Sequence, residues 1–104
     1  MVWSSARPHN VTDMVTGSFS KKHREQLVAI WSRENFGLKP EHYNMKIVTY
    51  KNLEMVWEKI AHPEADDGKR WDQTNTVLID DSVEKACAQP HNHLLIDVWD
   101  NPNR

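Results

Sequence analysis

An uncharged run, Thr76-Val77-Leu78-Ile79, ends abruptly in two adjacent carboxylates and a hydroxyl, Asp80-Asp81-Ser82. Apolar residues without polar alternation, cut off by charge, are the pattern of a parallel strand covered on both faces. Ligands of open α/β sheets sit beyond the carboxyl ends of such strands, so Asp80 and Asp81 stand where chemistry is expected. Two carboxylates there suit a hard cation such as Mg²⁺ bound together with a substrate phosphate. The spacing Asp81-x-x-Glu84 equally suits a capping box opening a helix, so sequence spacing leaves metal binding and capping both open.

The rest of the chain alternates strand and helix signals. Met1-Val2-Trp3 reads as the end of a strand, followed by Ser4-Ser5 and a helix opened by Pro8, with Val11, Met14 and Val15 on one face and Gly17 as a stop. Ser20 caps a charged turn over Lys21–Gln26, and Leu27–Trp31 is a second buried-strand candidate. Asn35–Asn44 reads as loop, and Lys46–Tyr50 as a short strand or an extended approach. Asn52 caps a helix in which Leu53, Val56, Trp57 and Ile60 form the cleanest apolar stripe of the chain. His62–Asn75 reads as a polar loop whose acidic run, Glu64–Asp67, is solvated. Beyond Asp80, Val83–Ala88 is expected to be a helix stopped by Pro90, then His93–Ile96 a last strand. This order predicts an α/β fold with a parallel sheet, as one domain over residues 1–98 and a tail over 99–104. A core strand that starts at the first residue has almost no length, which leads to the expectation of a further segment upstream.

With 104 residues the chain can bury only a thin core. A net charge of −2 argues against a nucleic-acid partner. No apolar run is long enough to span a bilayer, so no membrane partner is expected. Cys87 is the single cysteine, which excludes an internal disulfide and fits a reducing, intracellular compartment. It is expected to pack as a small thiol. His91-x-His93 reads as ordinary loop, without convergent ligands. Trp3, Trp31 and Trp57 are expected to pack, while Trp71 and Trp99 lie in polar context and suit a surface or a partner.

Four segments together resemble one family: Val2-Trp3-Ser4-Ser5-Ala6-Arg7-Pro8, Thr49-Tyr50-Lys51-Asn52-Leu53, Val77-Leu78-Ile79-Asp80-Asp81-Ser82-Val83-Glu84-Lys85 and Gln89-Pro90-His91-Asn92. They look like the later motifs of the haloacid dehalogenase superfamily, in the branch of the RNA polymerase II carboxy-terminal-domain phosphatases and NLI-interacting-factor-like proteins. Mitochondrial import proteins of the Tim type share that FCP-type homology domain. The resemblance runs from Val2 to about Ile96. It implies a Rossmann-like parallel sheet and Mg²⁺-dependent hydrolysis of phosphoserine or phosphothreonine in proteins. It also implies that Ser4 hydrogen-bonds the transferring phosphoryl group and that Lys51 neutralises the phosphoaspartyl intermediate, with Lys46 a weaker match for that role. Asp80 and Asp81 would help to hold the metal. By the same analogy the partner is a phosphoprotein or another protein, and the location nuclear.

The family's first motif, Asp-x-Asp-x-Thr, supplies the nucleophile and the acid/base, and no such string occurs here. The chemistry needs one carboxylate attacking phosphorus and a second protonating the leaving group. Without them little or no turnover is expected, and weak Mg²⁺ binding at best. In the family the strand of that motif lies between those of Ser4 and Asp80. The expected sheet is therefore an incomplete haloacid-dehalogenase-like one, missing its first strand. Its two flanking strands would pair with each other, accept a strand from another chain or stay poorly ordered, and self-association is expected. The alternatives are a non-catalytic phosphopeptide- or protein-binding module, and a piece of a longer active phosphatase whose N-terminal half lies elsewhere.

Overall fold

Val2 and Trp3 form β1 and pair in parallel with β2, Ile30–Trp31, in the register Val2↔Ile30 and Trp3↔Trp31. The computed structural model describes residues 1–98. The tail expected over 99–104, with Trp99, lies outside the described residues. The chain divides into two units, Met1–Thr49 and the part from Tyr50 onward, and each holds one two-stranded parallel sheet. The architecture is thus mixed helix and strand with small parallel sheets, as an α/β chain requires. Among the described residues no helix is long and apolar enough to cross a membrane.

In the first unit, parallel pairing of β1 and β2 demands a crossover, supplied by α1 (Pro8–Ser18) and α2 (Lys21–Glu25). Pro8 opens α1 where a missing N–H costs nothing, and Val11 and Val15, one turn apart, are its buried residues. The helix runs through Gly17 to Ser18, because the Phe19 N–H still reaches the Val15 carbonyl. Ser20 caps α2 by accepting from the His23 N–H, as its sequence predicts. Trp3 and Trp31 meet edge to face at 5.1 Å, and Trp3 also lies 5.3 Å from Phe36, so the two tryptophans pack as expected. The segment read as loop holds two short helical pieces. Arg33–Phe36 is a 3-10 turn with Ser32 and Asn35 bonding reciprocally, and α3, Pro40–Tyr43, is one helical turn. Gly37, between them, sits at φ +67°, where a Cβ is strained.

In the second unit α4 spans Leu53–Lys59, and β3 (Leu78–Asp80) pairs in parallel with β4 (His93–Leu95). Leu53 and Val56 are buried and Trp57 and Ile60 half-buried, so the predicted stripe is core. Trp57 Nε1 donates to Thr76 Oγ1 at 3.0 Å, tying α4 to the approach of β3. Trp71, expected on a surface, stacks on His62 at 4.3 Å. Lys46–Tyr50 is an extended approach and not a strand.

Three expectations are corrected. Val83–Ala88 is a succession of turns rather than a helix, since its bonds are of i→i+3 and i→i+4 type without continuity. Cys87 is exposed and does not pack. The strands are covered on one face at most: Val77, Ile79, Leu94 and Ile96, which alternate along β3, β4 and their extensions, are all between 46% and 65% exposed.

The entry to α4 is locked by amides. Asn52 Oδ1 accepts from the Glu54 N–H and from Gln89 Nε2, while Gln89 Oε1 accepts from the Leu53 N–H. Asn52→Ala should lower stability to urea by about 1 kcal/mol, and Asn52→Asp, which keeps the capping oxygen, should lose less. Equal loss in both variants would show that the cap contributes nothing.

Candidate functional site

Lys51 and Asp80, 29 residues apart, meet at the end of β3. Lys51 Nζ donates to Asp80 Oδ2 at 2.6 Å, with the two side chains 13% and 6% exposed. Lys51 is placed by its own backbone, whose N–H donates to the Lys85 carbonyl at 2.7 Å, and by the Asn52 cap that follows it. Asp80 is placed from three sides. Its Oδ1 accepts from the Ser82 N–H at 2.8 Å, folding the chain back as it leaves the strand. Its backbone carbonyl accepts from the Ile96 N–H at 3.2 Å and from His93 Nε2 at 2.8 Å. A carbonyl can only accept, so His93 carries its proton on Nε2.

Asp81 stands apart from this pair. It is exposed, and among the described residues no side chain bonds it. The capping-box reading of Asp81 and Glu84 does not hold, because the turn is closed instead by Ser82, whose Oγ accepts from the Lys85 N–H. Ser4 lies in the first unit, where its N–H donates to the Trp31 carbonyl and its Oγ accepts from the Ala6 N–H at 3.1 Å. The structure thus brings Lys51 and Asp80 into direct contact, and leaves Asp81 outside that contact. Sequence reasoning missed Ser82, Gln89 and His93 as supports of the pair. The signal for the Ser82 N–H was Asp80 itself, whose side chain accepts from the backbone two residues on in an Asx turn. His93 stood out in the sequence only in the pair His91-x-His93, read as ordinary loop, whereas it opens β4 and bonds the Asp80 carbonyl.

Burial by itself would raise the pKa of Asp80. The Lys51 hydrogen bond, the Ser82 N–H and the charges of Lys51 and Lys85 outweigh it and hold the carboxyl below the ordinary carboxylate value. The donors do not fit a resident Mg²⁺ as they stand. Both Asp80 oxygens are engaged, the Lys51 ammonium occupies the position a cation would take, and among the described residues no three His, Cys, Asp or Glu side chains converge. What the arrangement offers is a screened cation: a phosphate reaching Lys51 must compete with Asp80 for it.

Because the folded-state pKa of Asp80 is lowered, its contribution to stability is present above the unfolded value, about 3.9, and is lost as pH falls through the folded one. Lys51→Met, which leaves a buried carboxylate without its cation, should cost about 2 kcal/mol at pH 7 in chemical unfolding. That cost should shrink toward zero as pH falls through the lowered folded-state pKa and Asp80 protonates. A pH-independent cost would mean that the lysine stem, and not the ion pair, is what matters.

The family model of NLI interacting factor-like phosphatases matches residues 1–104. An uncharacterized FCP1 homology domain-containing protein of Schizosaccharomyces pombe is 40% identical over 96 residues, which are 92% of this chain and 39% of that protein. The chain therefore spans less than half the length of this relative. No solved structure matches the chain.

Proposed function

The chain belongs to the NLI interacting factor-like phosphatase family, and from that premise we propose that it is part of a phosphoserine/phosphothreonine protein phosphatase domain that lacks the attacking carboxylate and has little or no turnover alone. The observation that carries this is the buried Lys51–Asp80 contact at the carboxyl end of a parallel strand. In this proposal Lys51 is the cation that neutralises a phosphate, Asp80 is the carboxylate that screens it, and the part played by Ser4 and Asp81 in the family is carried over by resemblance alone.

Asp80 is a poor substitute for the missing nucleophile. A carboxylate with a lowered pKa, and with both oxygens already accepting hydrogen bonds, is both a weaker base and a less available electron pair. The fold side of the proposal is an incomplete haloacid-dehalogenase-like sheet. β3, in a sheet of two strands, retains one unpaired edge among the described residues, and a strand carrying Asp-x-Asp-x-Thr from outside the chain would pair there. The exposed face of Val77, Ile79, Leu94 and Ile96 supports association with further polypeptide.

An aryl phosphate assayed with Mg²⁺ should show no hydrolysis above the buffer rate. Adding a peptide with an Asp-x-Asp-x-Thr strand should raise it. Hydrolysis by the chain alone that disappears in Asp80→Asn would overturn the claim of inactivity.

A further inference from the structure

A second lysine, Lys85, is built into the surroundings of the Lys51–Asp80 pair. Its backbone is held at both ends: the N–H donates to Ser82 Oγ at 3.2 Å, and the carbonyl accepts from the Lys51 N–H at 2.7 Å. Ser82 gives its own N–H to Asp80 Oδ1 at 2.8 Å. Two hydrogen bonds through Ser82 thus link the Lys85 backbone to the Asp80 carboxylate, and a third ties it to the backbone of Lys51. From there a flexible four-carbon stem can carry an ammonium to that carboxylate. Lys85 is half-buried, and its charge already acts on Asp80. Among the described residues the ion pairs are Lys51–Asp80 and Lys69–Glu64, and Lys85 belongs to neither.

One buried carboxylate therefore has two lysines around it, of which only Lys51 holds it. An anion that drew Lys51 away would by itself leave Asp80 buried without a cation, which is strongly unfavourable. A spare ammonium within reach removes that penalty, because the carboxylate exchanges one cation for another. Two ammonium groups then match two anions, where before one was spare.

We propose that Lys85 is a positioning residue that takes over Asp80 whenever Lys51 leaves it for an anion. Oδ2 changes partner, while Oδ1 keeps the Ser82 N–H. That the anion is a phosphate rests on the phosphatase reading above; the exchange rests on the two lysines and the carboxylate. Such a site favours ligands that bring added negative charge, since a neutral ligand gives Lys51 no reason to leave Asp80.

The exchange is read from ¹H–¹⁵N NMR of the lysine ammonium groups in the full chain, at constant pH. In Lys51→Gln without ligand, the Lys85 ammonium protons should exchange with water about tenfold more slowly than in the unsubstituted chain, as Lys85 settles on Asp80. Unchanged exchange in the folded variant overturns the proposal. Inorganic phosphate titrated into the unsubstituted chain should move the Lys51 and Lys85 signals with one midpoint. Lys85→Gln should raise the Lys51 midpoint about tenfold, and Lys85→Arg should restore most of it. Lys69→Gln, which removes the same charge elsewhere in the unit, should leave it within about twofold. A Lys51 midpoint unmoved by Lys85→Gln, or raised as much by Lys69→Gln, overturns the proposal even where Lys51→Gln does not fold. A purely structural Lys85 would lower stability and leave that midpoint in place. Slowed exchange in Lys51→Gln together with no effect of phosphate on Lys51 supports the exchange and overturns the phosphate reading, so the two fail separately.

Discussion

The Lys51–Asp80 ion pair is the contact on which the second unit is organised. A carboxylate as buried as Asp80 is costly to desolvate, and the cost is offset only by excellent geometry and additional hydrogen bonds. Both are present: the 2.6 Å ammonium contact on one oxygen and the Ser82 N–H on the other. The same requirement fixes the neighbourhood. Lys51 must be held, which the Lys85 carbonyl and the Asn52–Gln89 lock achieve; the strand end must be held, which His93 and Ile96 achieve through the Asp80 carbonyl. Segments far apart in sequence are therefore tied to one pair of charges. Function inherits this. A ligand entering there must replace one member of a satisfied pair, so it binds only with what its own charge adds.

Elements set by adjacent residues were legible in the sequence. The α4 stripe, the Ser20 and Asn52 caps and the Pro8 helix start are each specified within one or two turns, and the structure has them. Lengths set by distant partners were not. Leu27–Trp31 reads as a five-residue strand, yet only Ile30 and Trp31 pair, because β1 offers two residues to pair with. Val83–Ala88 has helix-forming residues, but the side chains of Asp80 and Ser82 close the turn instead, and the i→i+4 ladder does not propagate. For the site, Asp80 was visible as a charge at the end of an apolar run. Lys51 was visible only through the family resemblance, since a lysine before a helix cap is otherwise unremarkable. Arg33 was invisible, because its role as a clamp on carbonyls 9 to 12 residues later exists only once α3 has formed.

The apolar run leading into Asp80 predicts coverage on both strand faces, and the described residues provide it on one at most. Leu78 and Asp80 turn inward while Val77 and Ile79 face out, with Ile79 paired across the register to the exposed Leu94. Val28 and Ile30, at the approach and start of β2, are likewise exposed around the more buried Ala29 and Trp31. Both strands thus carry more apolar surface than these residues bury. A two-stranded parallel sheet is also among the least self-sufficient of pairings, because parallel ladders rely on covered faces and on additional strands. The exposed apolar residues Ile30, Ile79 and Leu94 of β2, β3 and β4 are thus set by the alternation of side chains across a strand, which turns one face of each pairing outward.

The two clusters of positive charge differ in what neutralises them. Lys51 is matched one-to-one by Asp80, within a part of the chain where carboxylates outnumber cations, so an anion gains there only by displacing a carboxylate already in place. Arg7, Arg33 and Lys46 have no such match. Carbonyls, an amide and an aromatic face orient the two arginines without cancelling their charge. An anion approaching them displaces no counterion belonging to the protein. Electrostatic attraction in the first unit is thus available before any rearrangement, whereas at Lys51 it becomes available only after one. Neutral ligation of a cation, rather than the number of cations, is what leaves uncancelled positive charge on a surface where the net charge of the chain gives no reason to expect it.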